Sequence, residues 1–143
     1  MDILNTFKIS GSALKANKIR LDTISSNMAN IETTSTPEGG PYKKKSVYFQ
    51  STPVTFQQHL EGKMANAVQG VKVTKILEDE SEPKKIYDPS HPDAAEDGYV
   101  AMPNINLIEE IVDMMSATRA YQANVTTIQS AKRMALKALE IGK

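Results

Sequence analysis

From Asn104 to Ile141 the chain contains neither proline nor glycine, and its side chains recur at alternating spacings of three and four. Ile111, Met114, Thr118, Tyr121, Val125, Ile128, Lys132, Ala135 and Leu139 follow that rule, and Gly142 ends it. The pattern predicts one uninterrupted helix with a 3.5-residue seam. Asn106 followed three residues later by Glu109 reads as a capping box just after Pro103. Acids (Glu109, Glu110, Asp113) precede bases (Lys132, Arg133, Lys137), which suits the helix dipole. A helix from 106 to 141 would be about 54 Å long. A compact globule of 143 residues has a diameter of roughly 37 Å. The expected molecule is therefore elongated.

Proline and glycine divide the rest. All seven prolines and five of the seven glycines fall between 37 and 103. The expected organisation is an N-terminal helical segment at 1–32, a loop-rich zone with short strands at 33–103, and a C-terminal helix at 104–143. The expected class is α+β: long terminal helices paired as an elongated coiled coil, with a small β-rich middle domain.

In the N-terminal segment Phe7, Leu14, Leu21 and Met28 repeat every seven residues, with Ile3, Ser10, Asn17, Ile24 and Ile31 three residues further round. This is an incomplete a/d stripe over a helix expected at 2–32, weakened by Gly11. An amphipathic helix lying on a globular core is the alternative. The C-terminal helix begins with Leu107, Ile108, Ile111, Val112, Met114 and Met115, which is apolar over more than one face. One helical partner covers one stripe, so a second stripe asks for another chain or for the middle zone.

The middle zone offers strands at Lys45–Phe49, around Val71, Val73 and Ile76–Leu77, and more weakly at Lys85–Tyr87 and Tyr99–Met102. Turn signals separate them at Pro37–Pro41, Glu61–Gly62, Gln69–Gly70 and Asp97–Gly98. The run Lys43-Lys44-Lys45 reads as a solvated strand edge. Glu78-Asp79-Glu80 with Glu82 reads as a solvated loop.

Catalytic constellations find little support. Lys+Arg and Asp+Glu are both 17, and a neutral chain argues against a nucleic-acid partner. No cysteine is present, so no disulfide, zinc–thiolate site or thiol nucleophile is available. The two histidines, His59 and His91, lie in no triad-like pattern. Asp88–Gly98 tested as a calcium loop from Asp93 fits at Asp97 and Gly98 but fails at Ala95 and Asn104. A zinc site of His91, Asp88 and Asp93 lacks a fourth ligand. No catalytic residue, cofactor or metal is expected, and no apolar run is long enough to span a membrane. The first residues lack the layout of a cleaved secretory signal.

Two end motifs carry a resemblance. Ser26-Asn27-Met28-Ala29-Asn30-Ile31-Glu32-Thr33 resembles the N-terminal signature of bacterial flagellar rod and hook axial proteins. The run from Ile111 to Val125, centred on Arg119-Ala120-Tyr121-Gln122-Ala123-Asn124, resembles the signature paired with it. Pro41-Tyr42-Lys43 to Val47-Tyr48-Phe49-Gln50, and Tyr87 to Ala94 through Asp97-Gly98-Tyr99-Val100 to Pro103-Asn104, are similar to the short proximal-rod members. The stretch from Ser51 to Asn66 matches no motif.

The resemblance implies a non-catalytic structural subunit of the flagellar basal body. Such a subunit leaves the cytoplasm through the flagellar type III export apparatus without a cleaved signal. It polymerises in the periplasm with copies of itself and neighbouring rod subunits into the shaft that carries motor torque. Phe7, Leu14, Leu21, Ile24, Met28, Ile111, Met114, Thr118, Tyr121, Val125 and Ile128 are the expected seam or subunit-interface residues. Asn27, Ala29, Asn30, Arg119, Ala120, Tyr121, Ala123 and Asn124 carry the signature. Asn27, Asn30, Gln122 and Asn124 are expected either to fix register between subunits or, for the first two, simply to end the first helix. A small periplasmic binding or peptidoglycan-associated accessory module is the alternative function.

Overall fold

A computed structural model describes residues 3–51 and 70–141. Helix α1 runs Ile3–Ala29, strands β1 and β2 run Lys45–Ser51 and Val71–Glu78, β3 and β4 run Lys84–Tyr87 and Tyr99–Met102, and helix α2 runs Leu107–Ile141. The described residues thus form an α+β architecture. Helix α2 begins at the expected cap: Asn106 Oδ1 accepts the amide of Ile108 at 3.1 Å. Helix α1 stops at Ala29, short of the expected residue 32. Asn30 turns its own amide back on the Ser26 carbonyl at 2.8 Å, and the following backbone bonds tighten to i→i+3 spacing. A side chain that caps the last carbonyls competes with another turn of helix.

The two helices pack on each other and run antiparallel. Arg20 meets Asp113 at 3.1 Å and Asn27 meets Glu110 at 3.1 Å, so rising numbers on one helix face falling numbers on the other. The seam is built from small and polar side chains. Helix α1 buries Ser10, Ala16, Thr23, Ile24 and Asn27, while α2 buries Glu110, Ala117 and Ala131. Beyond Ala131 the apolar residues Met134, Leu136 and Leu139 are exposed.

The strands make two separate two-stranded antiparallel sheets. The first, β1 with β2, has a register irregularity between Tyr48 and Phe49 and packs on α1. There Ser12 Oγ accepts the Val71 amide at 3.0 Å. The second, β3 with β4, lies in direct register, Lys84 opposite Met102 to Tyr87 opposite Tyr99. It leads into α2 through the buried residues Val100, Pro103 and Ile105. Lys84 Nζ donates to the Ile105 carbonyl at 3.2 Å.

The polar loop between β3 and β4 is built of turns. Asp88 Oδ1 accepts from the Ser90 hydroxyl and amide at 2.6 and 3.1 Å, which holds its carboxyl below the usual range. His91 Nδ1 accepts the Asp93 amide at 3.1 Å, and Asp93 accepts the Thr34 hydroxyl at 2.6 Å. Gly98 closes the hairpin at φ +76, where a Cβ would stand 2.9 Å from the Tyr87 ring. Among the described residues no group of three or more metal-binding side chains gathers. None of the described helices is long and apolar enough to cross a membrane.

Candidate functional site

Two features stand out: a buried polar junction where three elements meet, and apolar helix surface that is exposed among the described residues. The junction centres on Asn27, near the end of α1 and only 1 % exposed. Its Nδ2 donates to the Lys45 carbonyl at 2.9 Å and to Glu110 Oε2 at 3.1 Å. Its Oδ1 accepts the Lys45 amide at 2.9 Å and the Tyr42 hydroxyl at 3.1 Å. All four bonds that an Asn amide can make are therefore used. Because both backbone groups of Lys45 are held, the side chain stands in for a neighbouring strand at the start of β1.

Glu110 occupies the first turns of α2 and is 2 % exposed. Besides Asn27 it meets Lys44 Nζ at 2.8 Å. That hydrogen bond to the carboxylate holds the Lys44 ammonium above the ordinary lysine range, against the opposing effect of partial burial. A buried carboxylate is tolerable only when paired and hydrogen-bonded, and Glu110 is both. The expected solvated edge at Lys43–Lys45 is thus corrected at Lys44, which points inward. A basic run in sequence carries no sign of a buried acid 66 positions away; only the fold brings Glu110 to it.

The uncovered surface begins at the same place. Leu107, Ile108, Ile111, Val112 and Met115 are all exposed, Ile108 by 73 % and Val112 by 59 %. At 100° per residue they lie within about 140° of the helix circumference. Tyr121 also shows its ring to solvent.

The residues expected at the seam are distributed as follows. Ile24 is buried, and Phe7, Leu14, Leu21, Met28, Met114, Thr118, Val125 and Ile128 are half-buried, while Ile111 and Tyr121 are exposed. The stripe in deepest contact on α2 is Glu110, Ala117 and Ala131 with half-buried Asn124, one position before Ile111, Thr118 and Val125. Periodicity finds the larger apolar side chains, whereas close approach of two backbones selects the small ones. Among the signature residues, only Asn27 enters the junction. Asn30 caps α1 and accepts the Thr33 hydroxyl at 3.2 Å. Asn124 bonds the Ala120 carbonyl at 2.8 Å. The Gln122 carbonyl accepts the Thr126 hydroxyl. Ala29, Arg119 and Ala123 are exposed, and Ala120 is half-buried. Tyr42, Lys44 and Glu110 were missed as site residues. The only sequence signal for Glu110 is an acid on the inward side of an amphipathic helix.

The N-terminal flagella basal body rod protein family matches residues 7–35, and the flagellar basal body rod FlgEFG protein C-terminal family matches residues 96–141. The flagellar basal-body rod protein FlgC of Bacillus subtilis is 45 % identical, with all of both chains covered. This chain belongs to the FlgC family of flagellar basal-body rod proteins. Its likeness to FlgC of Borreliella burgdorferi is 41 % identity over 99 % of this chain and 98 % of that one. FlgC of Salmonella typhimurium is 40 % identical with all of both chains covered. The two family matches contain both halves of the junction, since Asn27 falls in the first and Glu110 in the second. The relatives named here are flagellar basal-body rod proteins.

Proposed function

We propose that this chain is a structural, non-catalytic subunit of the bacterial flagellar rod that polymerises through the surfaces of its terminal helices. The observation that carries the reading is the exposed apolar arc of Leu107, Ile108, Ile111, Val112 and Met115. Apolar side chains gathered on one helix face gain about 25 cal/mol per Å2 when a neighbour covers them. The exposed Leu136 and Leu139, about 60° apart around the helix, supply a second such surface at the far end of α2. Contacts between two different patches of one chain are heterologous and, where the rotation does not close into a ring, generate open helical assemblies, the geometry a shaft requires.

In this reading α1 and α2 form an elongated antiparallel coiled-coil pair, and the half-buried Phe7, Leu14, Leu21, Met28 and Val125 complete their burial against adjacent subunits. The sheets and their turns between residues 33 and 103 face outward. The partners are further copies and neighbouring rod proteins, and the subunit reaches the periplasmic rod through the flagellar type III export apparatus. The test is to isolate hook–basal bodies from the native bacterium and locate the chain by mass spectrometry and labelled electron microscopy. Its presence in the rod is expected; finding it free in the periplasm and absent from basal bodies overturns the reading.

A further inference from the structure

The α1–α2 seam has a property that its small side chains make acute. Ala117, Asn124 and Ala131 follow Glu110 at successive heptad positions on the same face of α2. Sliding α2 by one heptad, about 10.5 Å, would replace one small residue by another along this deepest stripe. Along that stripe apolar packing therefore distinguishes poorly between the two alignments. Connectivity permits the slip if the first two turns of α2 unwind into the connection from β4, as Ala117 takes the place of Glu110.

On that stripe one position, Glu110, separates the alignments sharply. Glu110 finds Asn27 Nδ2 at 3.1 Å and Lys44 Nζ at 2.8 Å, while Asn27 is itself pinned to the Lys45 backbone through both of its amide atoms. The acceptor on α2 thus meets a donor pair that cannot follow it. We infer that Glu110 and Asn27 form a register key: the buried carboxylate selects one alignment of α2 on α1 and thereby sets which side chains of α2 stand beside the junction for assembly. A buried charged group on a stripe of small residues has this effect because alternative registers leave it without its partners. The slip would put Met115 and Arg119 where Ile108 and Val112 stand, so alignment and assembly surface are one choice. The inference concerns the single chain and stands apart from its place in the rod.

The absence of cysteine gives a clean test on the full-length chain. Arg20→Cys with Asp113→Cys reports the alignment seen here, where those side chains meet at 3.1 Å. Arg20→Cys with Ala120→Cys reports the slipped one. A short bismaleimide is expected to link the first pair and leave the second at background. With Glu110→Leu added, the slipped pair is expected to rise at least tenfold, to a yield comparable with the native pair. Glu110→Gln, which still offers Asn27 an acceptor, is expected to keep the native pair dominant. If Glu110→Leu loses its helical circular dichroism, Asn27→Leu removes the key from the other side and must produce the same rise. A slipped pair that stays at background in the folded variant overturns the inference. So does failure of the native pair to link in the parent chain.

Discussion

Asn27 and Glu110 lie 83 positions apart in the chain and meet at 3.1 Å in a site closed to solvent. The contact ties the end of one terminal helix to the start of the other. Through Lys45 and Lys44 it ties both to the first strand. Asn27→Ala removes four hydrogen bonds and leaves a buried carboxylate with one partner fewer. A loss of about 3 kcal/mol is expected, since each buried polar group left unmade costs about 1–3 kcal/mol. Denaturant unfolding of the full chain, followed by helical circular dichroism, measures it. A loss below about 0.5 kcal/mol, the range of an ordinary surface change, would contradict the described junction.

The Lys44–Glu110 pair gives the molecule an alkaline limit. The Lys44 ammonium is held above its ordinary value by its bond to Glu110. A group whose pKa is raised on folding stabilises fully below its unfolded value, about 10.4 for lysine, and that stability is lost as pH rises through the folded value. Stability is therefore expected to fall above about pH 10 more steeply in the parent than in Lys44→Met. Equal alkaline slopes would show that the pair contributes nothing on titration. At neutral pH, Lys44→Met is expected to cost about 3 kcal/mol, because it strands a buried carboxylate.

Exposed apolar positions separate assembly from folding. Ile108→Asp and Val112→Asp change side chains that are 73 % and 59 % exposed, so unfolding of the free chain should shift by no more than about 0.5 kcal/mol. Assembly should fail nonetheless, because a carboxylate buried against a neighbour without a partner costs several kcal/mol by the usual desolvation argument, roughly 3 or more. Swimming in soft agar and rod content of isolated basal bodies read the result. A fully motile strain carrying either change would remove this face from the interface.

Gly98 is constrained twice, by φ +76 and by the Tyr87 ring 2.9 Å from where a Cβ would stand. Tyr87 also packs edge-on against Tyr99, with centroids 5.3 Å apart. Gly98→Ala should cost about 1–3 kcal/mol of local strain and displace the ring pair, visible as changed Tyr87 and Tyr99 aromatic shifts in NMR spectra. Unchanged shifts and unchanged stability would refute that close fit.

The sequence by itself determined the elements and the class. The segment free of proline and glycine became α2, the alternating Val and Ile positions became strands close to their expected bounds, and the two end motifs carried the family. These are local signals, set by backbone propensity and by periodicity within one element. Which stripe of α2 lies deepest was settled by packing against α1. The apolar pattern marked Ile111, Thr118 and Val125, yet the close approach of the helices selected Glu110, Ala117 and Ala131, whose neighbours across the seam are remote in sequence. Likewise Lys44 belongs to a basic run, and nothing near it foretells a buried carboxylate. A side chain's period along its own helix is written locally; its partner, and so its charge environment, exists only once distant segments have packed together.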